Sequence, residues 1–189
     1  MAHKETQGAD RIEAARGGRI RKLRMMRNWT GIEIEAEHER LEREAASILG
    51  YMLFEYSRLD MELGMMVVWA GDGRQLDKLT TKYNQSNFHG KLDFLKKRAA
   101  NKYATAHEAF NAHTCWLDAA HKVRDCRNKF VHGRWGIEPT MQQVINVVGL
   151  PTSADQKPFP YTIPALQAEL DAIRSLRAGL RDLRNAWPL

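Results

Sequence analysis

Long apolar runs are missing from this chain. The richest one, Gly64 to Gly71, lasts about two helical turns, far short of the ~20 residues needed to cross a bilayer, so no membrane partner is expected. Cysteine is scarce. Cys115 and Cys126 sit eleven positions apart on one expected helix, about 16 Å along its axis, too far to bridge. They read as reduced, buried thiols of a soluble cytoplasmic protein. There is no glycine-rich phosphate loop, no Ser or Cys in a nucleophile elbow and no internal repeat, which argues against a nucleotide-dependent enzyme. His107, His113 and His121 are spaced by six and eight residues, so they do not share a helix face, and no Cys or carboxylate completes a tetrahedral set at recognised spacing. No metal and no cofactor are expected. The basic N-terminus has no apolar segment, and its acidic residues argue against a transit peptide.

What is present suits one globular core with an arm. The chain has 189 residues, 43% of them hydrophobic, and a net charge of +6 that favours an anionic partner. Residues 1–28 carry Arg11, Arg16, Arg19, Arg21, Lys22, Arg24 and Arg27 around Gly17-Gly18, and read as a flexible basic arm. Such an arm can be plain solvated chain or an electrostatic tether for nucleic acid that adds affinity without specificity. Residues 29–189 are expected to form a single helical domain.

Thr30 and Glu33 have capping-box spacing, so a helix should start at Gly31. Leu49, Met52, Tyr56, Leu59, Leu63 and Met66 continue the apolar periodicity towards Trp69, as one helix or as two with a bend near Gly50. A loop follows, with a short helix at Gln75 to Tyr83, and Ser86 or Asn87 caps the next helix, where Phe88, Leu92 and Leu95 face inward. Thr105 and Glu108 repeat the capping-box spacing ahead of a helix from about Ala106 to His132. Trp135–Glu138 and Gln142–Val148 pair as a hairpin, and Gly149 to Pro160 reads as a loop. A last helix carries Leu166, Leu170, Ile173, Leu176, Leu180 and Leu183 on one face, and Arg174, Arg177, Arg181 and Arg184 on another that is solvated or holds phosphates. The expected class is all-α, an up-and-down bundle of four to five main helices with a small β-hairpin insertion.

The stretch AAHKVRDCRNKFVHGRW, residues 119–135, stands out. Trp116, Ala120, Val123, Phe130 and Val131 form an apolar stripe, and Arg127 falls inside it, four residues after Val123. A permanent charge on a buried face needs an acidic partner, for which Glu55 and Asp60 are the candidates. Asn128 follows Arg127, His132 lies a turn further on, and Gly133 ends the helix as an expected C′ glycine. Arg127, Asn128, Phe130, Val131, His132 and Gly133 resemble the signature of the HEPN family of helical domains. Preceded by FEYSRLDMEL and KLDFLKKRA and followed by the long C-terminal helix, the resemblance covers roughly residues 45–187.

The chemistry that suits Arg127 and His132 is metal-independent RNA cleavage. The ribose 2′-hydroxyl is the nucleophile, so the protein needs only to move protons and stabilise extra negative charge on phosphorus. Histidine titrates near neutral pH, and arginine forks onto two phosphate oxygens. His132 is expected to transfer a proton, Arg127 to bind the scissile phosphate, Asn128 to orient, and Arg124, Lys129 and Arg134 to bind substrate. Arg127 and His132 lie about 140° apart around an ideal helix, so they converge only if the helix loosens near its end. One histidine leaves one of two proton transfers without an agent, which a homodimer with a composite site would resolve. The resemblance implies the same dimer, an endoribonuclease in a toxin or phage-defence setting, and room for an antitoxin or effector-complex partner. Two other readings stay open: a non-catalytic RNA-binding or protein-interaction dimer, and a basic DNA-associated protein using the arm and the last helix.

Overall fold

The computed structural model describes residues 28–189, so the basic arm lies outside the described residues apart from Asn28. Five helices and a small antiparallel sheet account for most of it. Helix α1 spans Gly31–Val68, α2 Leu76–Tyr83, α3 Phe88–Lys102, α4 His107–His132 and α5 Ile163–Ala186; between α4 and α5 come β1 Arg134–Glu138, β2 Gln143–Val148 and β3 Lys157–Tyr161.

Helix α1 runs unbroken through Gly50 for 38 residues. Its start is held by the expected capping box: the Thr30 hydroxyl accepts from the Glu33 amide at 3.2 Å, and the Glu33 carboxylate accepts from the Thr30 amide at 2.9 Å. Asn87 caps α3, accepting from the Gly90 amide at 2.9 Å. The cap expected at Thr105 does not form. Helix α4 begins one residue later, with Ala106 in the capping position and no side chain on its amides.

Helix α1 is the spine, because its apolar residues feed two clusters in succession. Leu41, Ala45, Ile48 and Met52 pack with Phe130 of α4, Val144 of β2 and Leu166, Leu170 and Ile173 of α5. One turn on, Tyr56, Leu59, Leu63 and Met66 pack with Leu92 and Leu95 of α3, Trp116 and Ala120 of α4 and Leu176 and Leu180 of α5. Val123 touches both clusters, so position 127, one turn beyond it, falls at their junction. Val131 departs from the expected stripe: it is exposed, because the helix ends there and its flank faces out.

The hairpin gains a third strand where a loop was expected. Strand β3 pairs with β2, and its Pro158 and Pro160 sit opposite Val147 and Ile145. Proline cannot donate to a ladder, but the two alternate with Lys157, Phe159 and Tyr161, and β3 is an edge, so the proline nitrogens face away from β2. Gly133 also departs from expectation. Its backbone is extended (φ −80°, ψ 158°) rather than left-handed. Glycine is needed there for space, since a Cβ would lie 2.2 Å from Nδ2 of Asn146, a fully buried side chain on β2. The cysteines differ from the expected buried thiols: Cys115 is exposed, and Cys126 is half-buried with its thiol pushed up to about 12 by burial and by Glu169 beside it. No helix among the described residues is long and apolar enough to cross a membrane.

Candidate functional site

A cleft of about 440 Å³ opens where α1, α3 and α4 meet. Helix α4 contributes Arg124, Arg127 and Asn128; α1 contributes Tyr56 and Asp60; the start of α3 contributes Asn87, Phe88 and His89. The sequence singled out Arg124, Arg127, Asn128 and Asp60 of this set. Tyr56 and Phe88 read only as core positions, and His89 gave no signal by itself.

Arg127 is not held by an acid. Glu55, buried on α1, is taken by Arg177 of α5, which also reaches Glu62 at 2.5 Å, while Arg58 closes on Glu55 at 2.8 Å. Asp60 is taken by Lys91 of α3 at 2.8 Å. Both expected partners of Arg127 are therefore engaged elsewhere, because α5 and α3 bring their own cations to the two acidic turns of α1. The Arg127 guanidinium instead lies over the Tyr56 ring, 5.2 Å from its centroid, and donates to the Asn128 amide oxygen at 3.2 Å. Its Nε is buried without a hydrogen-bond partner among the described residues. The Tyr56 ring is itself fixed by stacking on Phe88 at 4.9 Å. Burial pushes the Tyr56 hydroxyl up to about 12 against the opposing charges of Arg127 and Arg124, so near neutral pH it is a donor and not a base.

Arg124 is braced from both sides. Its Nε and Nη2 donate to Asp125 at 3.1 and 2.8 Å, and its Nη1 donates to Nδ1 of His89 at 2.7 Å. A guanidinium has no acceptor, so the His89 ring presents its lone pair at Nδ1 and carries its proton on Nε2, which faces Asp93 at 3.4 Å.

The remaining expected site residues lie elsewhere. His132 is exposed at the last turn of α4, outside the cleft lining, as the turn between positions 127 and 132 requires. Lys129 is exposed over the Phe159 ring at 5.1 Å, and Arg134 donates to Gln156 at 2.5 Å; the sheet draws both away from the cleft. On its other flank Arg127 lines a second, apolar hollow of about 160 Å³ with Leu53, Phe130, Val131 and Trp135.

The histidines considered for a metal separate. His113 is buried, its Nδ1 donating to the Ala109 carbonyl at 2.8 Å. His121 instead meets His89 and Asp93, which the sequence reading had not grouped with it, and the ligand-type atoms of these three lie within 4.8 Å of one another.

Of the basic ridge on α5, Arg177 is turned inward onto acids and Arg174 is paired with Asp171 at 3.2 Å. No family model matches this chain, and no significant match is found among curated proteins or solved structures.

Proposed function

We propose that this protein is a HEPN-like, metal-independent endoribonuclease acting as a homodimer, its helices arranged as an up-and-down bundle. The observation that carries the reading is the state of Arg127: a half-buried cation in a cleft, stacked on Tyr56, without a carboxylate partner among the described residues. A structural arginine at the junction of two cores would be neutralised by an acid. One left with its charge open beside a second arginine suits a bound anion, and a phosphodiester offers the planar pair of oxygens that a guanidinium forks onto.

In this reading the scissile phosphate lies on Arg127 and Arg124, with Asn128 fixing the Arg127 fork. The 2′-hydroxyl attacks phosphorus as its proton passes to a base, the 5′-oxygen leaves and takes a proton, and the products end in a 2′,3′-cyclic phosphate and a 5′-hydroxyl. His132 serves one of these transfers from the edge of the site. Because it stands outside the cleft of its own chain, a second copy supplies the missing closure. The exposed apolar side chains support this. Leu53 and Val131 flank Arg127, and Tyr51, Phe54, Met61 and Met65 continue an exposed stripe along α1 at near-helical spacing, to Trp69 just past its end.

The test is incubation of the purified protein, Arg127→Ala and His132→Ala with labelled single-stranded RNA in excess EDTA. Cleavage to cyclic-phosphate ends by the wild type, reduced by about 10²–10³ in Arg127→Ala, is expected. The exposed position of His132 favours a second reading, a non-catalytic RNA-binding dimer. RNA bound but uncut by every form, with binding weakened in Arg127→Ala, would select it.

A further inference from the structure

Helix α3 carries His89 and Asp93 one turn apart, and α4 sets His121 against them. The His89 and His121 rings meet edge to face at 5.5 Å, His89 Nε2 is 3.4 Å from the Asp93 carboxylate, and one ligand-type atom from each of the three falls within 4.8 Å of the others. We propose that His89, Asp93 and His121 form a divalent-cation site, best suited to Zn²⁺, that clamps α3 to α4 beside the cleft. This inference stands apart from the ribonuclease reading.

The donor set fits that ion. Two imidazoles and a carboxylate are the mixed nitrogen and oxygen ligands that Zn²⁺ takes, with a fourth position left for water. At bond lengths of about 2.0–2.2 Å, tetrahedral ligand atoms stand roughly 3.4 Å apart, so the His89–Asp93 pair is already at the required separation. His121 completes the set by a small side-chain rotation. Among the described residues Arg124 touches the set through His89, and it also donates two hydrogen bonds to the Asp125 carboxylate.

Occupancy has a consequence for the cleft. A metal on Nε2 of His89 displaces the ring proton to Nδ1, and a protonated Nδ1 no longer accepts from Arg124. The Arg124 Nη1 group, now tied to His89 at 2.7 Å, is released towards the cleft that it shares with Arg127.

Isothermal titration calorimetry of Zn²⁺ into the full chain tests this, with circular dichroism to confirm that each variant is folded. One saturable site per chain is expected, weakened at least about tenfold in both His121→Ala and Asp93→Asn and unchanged in His107→Ala. Those two substitutions fall on half-exposed groups of different helices, so a shared folding defect would not mimic the pattern. Absence of a saturable site, or equal affinity in wild type and His121→Ala, would overturn the proposal. Because the readout is binding, a protein that cuts no RNA leaves the result equally decisive.

Discussion

Three residues set limits on what the fold and its site tolerate. Arg127 keeps its charge open because an aromatic face, not a carboxylate, supports it. Gly133 lets the chain leave α4 against Asn146. Gly133→Ala places a methyl 2.2 Å from a fully buried amide, so overpacking should lower stability by about 1–3 kcal/mol, read as a lower urea midpoint at unchanged m-value. His113 is the third. Burial holds its imidazolium below the usual range, partly opposed by the Ala109 carbonyl and reinforced by Lys102. The unfolded chain therefore binds this proton more readily than the folded one, and stability should fall as pH drops below about 6.5. Urea melts at pH 7.5 and 5.5 measure the loss, and His113→Gln should remove that part of the pH dependence.

At the scale of elements, the ion-pair cluster between α1 and α5 matters more for stability than any surface charge. Burial alone would push the Glu55 carboxyl up; the hydrogen bond and charge of Arg177, with Arg58, outweigh it and hold it below the usual carboxylate range. A carboxylate so held contributes stability above its unfolded value, and that contribution is lost as the pH falls through the lower folded value. Glu55→Ala leaves the half-buried Arg177 with Glu62 alone, and a cost of about 3 kcal/mol is expected by chemical denaturation at pH 7. The variant should also lose the acid sensitivity that this carboxylate causes. These helices were legible from their periods, and α1 also from its cap; the arginine that the sequence places on the α4 stripe is half-buried. Its partner was not legible. Glu55 and Arg177 are 122 residues apart, and Arg177, Arg58 and Lys91, not Arg127, take Glu55 and Asp60, a choice made by the way α3 and α5 dock.

At the scale of the whole molecule, the described residues include an exposed apolar face on α1. Phe54 and Met61 are 65% and 63% exposed on α1, at spacings that in a single chain would be expected to turn inward. If that face joins two copies, light scattering should give a dimer for the wild type and a monomer for Phe54→Glu, and the same variant should lose RNA cleavage while keeping its helical content. A wild-type monomer would separate the cleft from the composite site. The α1 methionines divide by face: Met52 and Met66 fill the core, whereas Met61 and Met65 are exposed.

The sequence by itself determined the helical class, the start of α1 and the position of the polar motif on the apolar stripe of α4. Each rests on local signals, since periodicity and caps act within a few residues along the chain. Only the tertiary structure decided that Arg127 stacks on Tyr56, that Glu55 and Asp60 go to other cations, that β3 joins the sheet, and that His89, 35 residues before Arg124, enters the cleft. Those are choices among chemically equivalent partners far apart in sequence, and the packing of α1, α3, α4 and α5 makes them by bringing some groups within reach and moving others away.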